Sequence, residues 1–239
     1  KADGPMYVNK NLLIDTNDTL IIDSGVKVVF NGPFEISIKG TLEAIGTQED
    51  PIAFASSSDF SDGQWNGLTA GANRLKVNEN GYEYTLESGS TIQHAHITDT
   101  AKGIRGAILL KDSYLETTGY ALGASYGGSE GFAGTAVGNE IRGNVSVTGG
   151  VLFNNRFYGE SGSFYVGGSK PNYLINNFIT DYTIVEFYYY LNEFDSNTLH
   201  NIDSLYPNSN RTHIFSNNEI TDIVILPYCP VWPGIFVGF

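Results

Sequence analysis

One short phrase recurs along the second half of this chain: an Asn, then any residue, then a bulky apolar residue. The five copies begin at Asn139, Asn155, Asn177, Asn197 and Asn218, so successive Asn residues lie 16, 22, 20 and 21 positions apart. A repeat of about 20 residues is typical of a solenoid, in which each repeat forms one coil that stacks on its neighbours. The repeat constrains the fold of this chain more than any other feature.

The first half carries the same period in a weaker form. At an offset of 22 residues, Ile14 aligns with Ile36, Leu20 with Leu42 and Ile22 with Ala44. Apolar and polar residues alternate within each segment, and this period of two indicates short, half-buried strands. Gly and Pro residues separate the segments, as at turns. The pattern predicts an all-β, single-domain parallel β-helix over residues 1–239, with roughly 20–22 residues per coil.

The recurrent Asn has a structural interpretation in such a fold. Asn tolerates the left-handed backbone conformation of a tight turn. Its side-chain amide can also bond to the equivalent Asn of the coil above and the coil below. We therefore expect the five repeat residues, Asn139, Asn155, Asn177, Asn197 and Asn218, to form an asparagine ladder.

Three phrases between residues 11 and 56 carry a family resemblance: residues 19–26 (TLIIDSGV), 39–47 (KGTLEAIGT) and 50–54 (DPIAF). They resemble the N-terminal coils of secreted right-handed parallel β-helix proteins of the pectate-lyase-like superfamily. Residues 65–68 (WNGL) are similar to the Trp-Gly-Gly-Ile that often follows there. With the Asn repeats, the resemblance covers most of the chain. It implies a right-handed coil and leaves the function open, because the superfamily contains lyases, polygalacturonases, epimerases, adhesins and structural surface proteins.

The charge of the chain limits the classes of partner that it is expected to bind. The formal net charge is −13 and charged residues make up only 16% of the sequence. An acidic chain lacks the basic face that binds nucleic acid or an anionic membrane. A polyanionic substrate would need bridging calcium. The polar but weakly charged composition favours an extracellular or cell-surface location, with a signal peptide already removed and no membrane-spanning segment.

Modification sites are few. The one cysteine, Cys229, does not fit a framework of internal disulfides, which needs an even number. It is predicted to be either a buried free thiol or part of an intermolecular disulfide. Glycosylation sequons begin at Asn17, Asn144 and Asn210.

The last 17 residues, from 223 to 239, contain no charged side chain. This tail is too short for a membrane span, and its three prolines oppose a helix. If it were exposed to water, the tail would form an aggregation-prone apolar patch, so we expect it to pack against other residues. It either caps the last coil or docks on a neighbouring subunit, and the uncovered strand edges of a solenoid favour such docking. The candidate docking residues are Cys229, Trp232, Phe236 and Phe239.

Catalytic motifs are not recognisable. Polygalacturonase-like enzymes need paired carboxylic acids, and their Asn-Thr-Asp, Asp-Asp, Gly-His-Gly and Arg-Ile-Lys motifs do not occur. A lyase needs an Arg or Lys base near clustered acids that hold calcium. The candidate bases are Arg142, Arg156 and Arg211, and the candidate acids are Asp15, Asp18, Asp59, Asp62, Glu186 and Glu193. These acids and bases are expected at different coil positions, so no catalytic residue is predicted.

Residue patterns typical of metal or ligand sites are even weaker than those typical of catalytic sites. His94 and His96 would share one side of a strand, which suits a metal ligand pair, but no third ligand is evident. Residues 59–63 resemble part of a calcium loop, so incidental calcium is the only cofactor considered. Tyr188, Tyr189 and Tyr190 follow Phe187, and alternation exposes one pair of this cluster for contact with a sugar ring or a partner. Residues 70–90 and 119–138 break the repeat and are predicted to be loops or excursions.

Two functions remain. The favoured hypothesis is a non-catalytic extracellular structural protein that assembles with copies of itself into a filament, sheath or surface layer. The alternative is a carbohydrate-active protein, either a polysaccharide lyase or a glycan-binding module, with polysaccharide as its partner. Clustered Arg and acidic residues on one face would favour the alternative, whereas an apolar end-to-end contact would favour assembly.

Overall fold

The computed structural model describes residues 4–60, 63–71, 75–79, 82–86, 89–123, 131–168, 172–188, 191–208 and 214–225. Within these residues the regular elements are strands, and there is no helix. The first strands are β1 (Met6–Val8), β2 (Leu12–Ile14), β3 (Thr19–Ile22), β4 (Lys27–Phe30), β5 (Ile36–Ile38), β6 (Thr41–Ile45), β7 (Ile52–Ser56) and β8 (Leu68–Ala70). Next come β9 (Leu75–Glu79), β10 (Tyr82–Leu86), β11 (Thr91–Gln93), β12 (Ala95–Ile97), β13 (Ile104–Gly106), β14 (Leu109–Lys111), β15 (Tyr114–Leu122) and β16 (Thr135–Val137). The last are β17 (Glu140–Val147), β18 (Val151–Phe153), β19 (Arg156–Val166), β20 (Asn172–Ile175), β21 (Phe178–Tyr188), β22 (Leu191–Asp195), β23 (Thr198–Asn208), β24 (Ile214–Ser216) and β25 (Glu219–Ile225).

The strands stack as a parallel β-solenoid of about eight turns with about 22 residues per turn. Among the described residues, sheet A contains 14 strands, and pairing within it is parallel. Sheet B is also parallel and contains nine described strands: β3, β6, β11, β14, β16, β18, β20, β22 and β24. This confirms the all-β solenoid predicted from the repeat. Among the described residues, no helix has the length and apolar character needed to cross a membrane.

Sheet A changes its form along the solenoid. In the first coils it has two separate arms: β1, β4, β7 and β12 form one, and β2, β5, β8 and β13 form the other. The arms meet at β15, which pairs with β12 through its beginning and with β13 through its end. From β17 onward, one long strand per coil bends through both arms.

The strand register agrees with most of the predicted offset. Leu20 lies beside Leu42 and Ile22 beside Ala44, as expected. The predicted alignment of Ile14 with Ile36 is wrong, because Ile14 pairs with Ile38. Four residues connect β2 to β3, whereas only two connect β5 to β6, so the offset of 22 does not extend back to β2.

The core is a narrow stack of inward-facing apolar residues. Its largest member in the first coils is Trp65, which is fully buried. The indole ring stacks on Phe30 at a centroid distance of 4.1 Å and lies 6.3 Å from Phe54. The indole N–H donates to the Thr98 carbonyl at 2.8 Å, so the one polar atom of this side chain has a partner.

The asparagine ladder is present in the second half. The side-chain amide of each Asn donates to the side-chain oxygen of the Asn one coil further on. These bonds run from Asn139 to Asn155, Asn155 to Asn177, Asn177 to Asn197 and Asn197 to Asn218, at 2.9, 3.0, 2.9 and 3.2 Å. The same oxygens also accept the backbone N–H of the preceding ladder residue. The predicted hydrogen-bonded stack is thus confirmed.

The prediction that the ladder Asn residues adopt the left-handed backbone conformation is wrong. The left-handed conformation belongs to the residue before each ladder position, with φ of 52° at Asn154, 54° at Asn176, 54° at Ser196 and 54° at Asn217. The ladder residues themselves are not in that region. Asn suits these positions because its buried side-chain amide uses both its N–H groups and its oxygen in hydrogen bonds. The preceding residue, and not the Asn, adopts the left-handed conformation of the corner.

Two segments were predicted to leave the coil, residues 70–90 and 119–138. In residues 70–90, β9 and β10 form an antiparallel pair that joins neither sheet. In residues 119–138, the first four belong to β15 and 135–137 form β16. Residues 124–130 lie outside the described part of the chain.

Candidate functional site

The outer surface of sheet A carries a group of aromatic and charged side chains across β12, β15, β17 and β19. We call this group the sheet A strip; it consists of His96, Tyr114, Glu116, Glu140, Arg142, Tyr158 and Glu160. The strip faces outward because Ile97, Leu115, Ile141 and Phe157, which alternate with its residues, fill the core. Parallel register then places residues from successive coils side by side, with Tyr114 beside Glu140 and Arg142 beside Tyr158.

Arg142 is the centre of the strip. Its guanidinium donates two hydrogen bonds to Glu140 Oε1, at 3.1 Å from Nε and 2.8 Å from Nη2, and Nη1 lies 3.5 Å from a Glu160 carboxylate oxygen. The same guanidinium lies over the ring of Tyr158, 4.6 Å from its centroid. The hydrogen bond to Glu140 is the main reason that the pKa of Arg142 is raised. These contacts hold the Arg142 and Tyr158 side chains in one arrangement.

Tyr114 forms the second aromatic position. Its hydroxyl donates to Glu116 Oε2 at 2.7 Å, and its ring meets that of His96 edge-on at 6.0 Å. Partial burial, and then the hydrogen bond to Glu116, raise the pKa of Tyr114 to about 12. The hydroxyl therefore stays protonated at physiological pH, and the ring presents an uncharged surface.

Two open grooves flank the strip. One has a volume of about 440 Å³ and lies beside His94, His96, Tyr114 and Glu140. The other has a volume of about 490 Å³ and lies beside Gln64, Thr98, Glu116 and Glu160. Tyr114 and Arg142 stand near the boundary between them, so an extended ligand could contact both grooves and the aromatic rings.

The grooves have a clear electrostatic character. Their acidic lining residues are Asp112 and Glu140 in the first, and Asp99, Glu116 and Glu160 in the second. Neither lining includes Lys or Arg among the described residues. The nearby Arg142 is already paired with two carboxylates. A polyanionic ligand would meet uncompensated negative charge here, whereas an uncharged one would not.

The predicted acids and bases occupy different places. Arg142 and Arg156 lie on neighbouring strands of the outer face of sheet A, with Arg156 beside Glu140. These two predicted bases therefore share a face, but their acidic neighbours are not the predicted acids. Glu186 lies in sheet A and Glu193 in sheet B, while Asp15 and Asp18 are exposed between β2 and β3. Asp59 is exposed, and Asp62 and Arg211 lie outside the described residues.

The histidine pair differs from its prediction. His94 has a left-handed φ of 47° at the corner before β12, so it does not share a strand side with His96. Both residues line the smaller groove. In the part of the chain that is described, no group of three or more His, Cys, Asp or Glu side chains is placed to hold a metal ion.

Most of the predicted contact residues belong to the tail or to the aromatic cluster after Phe187. The tail residues Cys229, Trp232, Phe236 and Phe239, the aromatic residues Tyr189 and Tyr190, and the sequon at Asn210 lie outside the described residues. Tyr188 ends β21, and its side chain is not described. Phe187 is buried and packs edge-on against Phe194 at 5.1 Å, so it belongs to the core.

The two remaining sequons have different surroundings. Asn17 is exposed in the turn between β2 and β3. Asn144 is partly buried, and its side-chain oxygen accepts the Ser163 N–H at 2.6 Å. Glycosylation remains a prediction, and the geometry leaves more room for it at Asn17.

The sheet A strip was not predicted from the sequence as a unit. Its residues come from four coils, and only the strand register brings them together. One signal was available: Glu140, Arg142, Tyr158 and Glu160 are the polar or aromatic partners in alternating segments that begin one residue after Asn139 and Asn155. Aligning the copies on the ladder Asn places Arg142 beside Tyr158.

Comparison with known proteins adds no relative. No protein-family model, curated protein or solved structure matches this chain. The solenoid fold that the pectate-lyase-like resemblance implied is present, but membership of that superfamily is not supported by any match.

Proposed function

We propose that this protein is a non-catalytic extracellular β-solenoid that binds an uncharged polysaccharide along the sheet A strip. The observation that carries the proposal is the fixed arrangement in which Arg142 lies over Tyr158 and between Glu140 and Glu160, with Glu140 beside Tyr114. Aromatic rings offer apolar faces to the C–H surface of a sugar, and the surrounding carboxylates and hydroxyls can bond to sugar hydroxyls. Because the contacts fix these side chains before binding, little conformational freedom is lost.

The choice of an uncharged ligand rests on the groove lining. Five carboxylates line the two grooves, and the guanidinium between them is already paired. A lyase acting on uronic acid polymers would need free positive charge or calcium to neutralise the substrate carboxylate. The geometry therefore supports a glycan-binding module better than a lyase.

The test is binding of soluble polysaccharides to the full chain, measured by affinity gel electrophoresis and calorimetry. We expect neutral polymers, such as mixed-linkage β-glucan or galactomannan, to bind, and polygalacturonate not to bind. Tyr158→Ala should weaken binding by about tenfold or more, as for a central aromatic contact. Tyr7→Ala is the matched control, since Tyr7 is an exposed tyrosine on a distant coil of the same sheet.

Two results would contradict the proposal. One is no binding to any neutral polymer by a folded protein, as judged by circular dichroism. The other is equal weakening by Tyr158→Ala and Tyr7→Ala, which would place the contact elsewhere. Preferred binding of polygalacturonate that requires calcium would instead favour the lyase alternative.

Self-assembly remains a second proposal, and one observation favours it. Among the described residues, the large exposed hydrophobic side chains lie in the first coils: Met6, Tyr7, Leu13, Ile21 and Ile45. Ile21 is 64% exposed on the outer face of sheet B. Light scattering of the full chain, with and without reductant, tests this idea. Large assemblies that disappear in an Ile21→Lys variant, or on deletion of residues 230–239, would support it. A monomer under both conditions would remove it.

A further inference from the structure

The bend in the middle of β19 is longer than the same bend in the next two strands of sheet A. In β19 it consists of residues 159–161, which lie between the residues that pair with Thr180 and Tyr182. In β21 the same place is occupied by Asp181 alone, and in β23 by Asn201 alone. We call residues 159–161 the β19 bulge. Such insertions are common beside functional sites, where they redirect a side chain.

The backbone of the β19 bulge is strained. Glu160 and Ser161 are both in the left-handed conformation, with φ of 46° and 71°. The shorter bends also use this conformation, but their residues are Asp181 and Asn201, and Asp and Asn are the types that adopt it most readily. Glu lacks this preference. The bulge therefore keeps an unfavourable conformation at a position where the next coils turn with one better suited residue.

Contacts on both sides hold the bulge in place. The Thr183 hydroxyl donates to the Ser161 carbonyl at 3.0 Å. Gly159 lies directly against the buried ring of Tyr182, where an added Cβ would come within 2.5 Å of the ring carbons. The Tyr182 hydroxyl in turn donates to the Gly143 carbonyl at 3.0 Å. The surrounding packing thus maintains the strained backbone in one conformation.

The bulge presents one functional group, the carboxylate of Glu160. This side chain is 68% exposed, lines the larger groove and has an oxygen 3.5 Å from Arg142 Nη1. The carboxylate of Asp181, at the short bend of β21, instead accepts a hydrogen bond from Asn201 and so serves the corner itself. The bulge therefore places an exposed carboxylate, oriented by Arg142, beside the aromatic residues of the sheet A strip. Such a group is suited to accept a hydrogen bond from a sugar hydroxyl.

We propose that Glu160 is a specificity-determining residue of the polysaccharide site and that the β19 bulge positions its carboxylate there. This inference rests on the polysaccharide binding proposed above. It narrows the ligand to polymers with free hydroxyl groups at the groove, because a carboxylate accepts a hydrogen bond from a hydroxyl and none from a methoxyl group. A site that bonds to a substrate hydroxyl discriminates against the analogue that lacks it.

Glu160→Asn separates strain from binding. Asn suits the left-handed backbone and the exposed ion pair with Arg142 adds little stability, so we expect the melting temperature to rise by about 2 °C. The shorter side chain should lower the affinity for mixed-linkage β-glucan by about tenfold and reduce the preference over O-methylated β-glucan. Asp181→Asn, at the short bend of the next strand, is the matched control and should change neither the affinity nor the preference. Calorimetry and thermal unfolding of the full chain measure these quantities.

Replacement of residues 159–161 by a single Asn gives β19 the short bend of β23. We expect this variant to melt no lower than the wild type and to bind β-glucan as weakly as Glu160→Asn; if it does not fold, Glu160→Asn alone decides. Unchanged affinity and preference in the Glu160→Asn variant, while Tyr158→Ala still weakens binding, would overturn this inference and leave the proposed function standing. A wild type that binds no neutral polymer would overturn both.

Discussion

The first and second halves of the solenoid build the same coil with different chemistry at the same corner. In the first half, the corner where the sheet A strand begins is held by Val26, just before β4, and by the first residues of β7 and β12, Ile52 and Ala95. In the second half, the equivalent residues are the ladder Asn side chains, from Asn139 onward. One half stabilises its corner by burying apolar area, and the other by continuous side-chain hydrogen bonding.

The transition between the two halves occurs at a single residue. Ser113 occupies the ladder position of its coil, where its hydroxyl accepts the Ala95 N–H at 3.0 Å and its own N–H donates to the Asn139 oxygen at 2.9 Å. The ladder therefore ends in a serine and then in an alanine. Coil geometry therefore does not require Asn, and the polar ladder is one of two ways in which this chain builds the corner.

The second half also adds a second stacked corner, where the long sheet A strands bend. Asp181, Asn201 and Asp222 are all left-handed there, with φ of 62°, 51° and 54°. Asn201 donates to the Asp181 carboxylate at 2.6 Å. Short polar residues tolerate this conformation by bonding locally. Each late coil thus has two polar corners, which the long bending strands require.

The largest effect is expected from the centre of the first half. Trp65→Ala removes the stacking on Phe30 and leaves a large cavity, and should destabilise the protein by about 4 kcal/mol. If neighbouring coils stabilise one another mainly pairwise, hydrogen exchange should accelerate chiefly in the first coils. Denaturant unfolding and exchange mass spectrometry measure both quantities. Uniform acceleration along the chain would show that the halves are not separable.

The ladder should give the next largest effect. Asn177→Ala removes bonds to Asn197 and the Leu152 carbonyl and leaves the N–H groups of Asn155 without their acceptor. We expect a loss of about 3 kcal/mol in the free energy of unfolding, because several buried groups lose their partners. Asn176→Gly is the matched control: it alters the exposed, left-handed neighbour and should change stability by less than about 0.5 kcal/mol. Equal effects of the two variants would argue against the ladder.

Ser113→Ala tests the transition point. It removes one acceptor, that of the Ala95 N–H, and should cost about 1 kcal/mol. Chemical denaturation of this variant beside Asn177→Ala would show whether the ladder weakens gradually toward the first half. A cost as large as that of Asn177→Ala would mean that the serine is a full member of the ladder.

The smallest effect concerns pH. Hydrogen bonds from Ser216, Asn217 and Ser196 lower the pKa of Asp195, whose corner lies in the second half. Because the folded pKa lies below the unfolded value, Asp195 contributes stability above about pH 4, and this contribution is lost as the pH falls through the lowered pKa. Asp195→Asn should therefore be less stable than the wild type near neutral pH, and the gap should narrow on acidification. Unfolding midpoints between pH 6 and 2 measure this gap; a constant gap would contradict the account.

Much of the fold could be predicted from the sequence, because successive coils of the solenoid repeat a similar pattern of residues. Both the coil and the ladder were predicted from the repeat residues Asn139, Asn155, Asn177, Asn197 and Asn218. Ser113 was missed, although the apolar Leu115 follows it at the same distance, because a serine does not match an Asn template. The sheet A strip was harder to predict, since its residues come from four coils and only strand register brings them together.

The measurement that tests the central comparison most directly is hydrogen exchange at the Asn155 amide in the wild type and in Asn177→Ala. The backbone N–H of Asn155 donates to the Asn177 side-chain oxygen at 3.1 Å, and not to a strand carbonyl. We expect its protection to fall by about tenfold or more beyond the global change in stability, while the Ile97 amide in the first half follows the global change alone. Unchanged relative protection at Asn155 would show that the ladder does not hold this corner, and the distinction between the two halves would then be one of composition and not of stabilising chemistry.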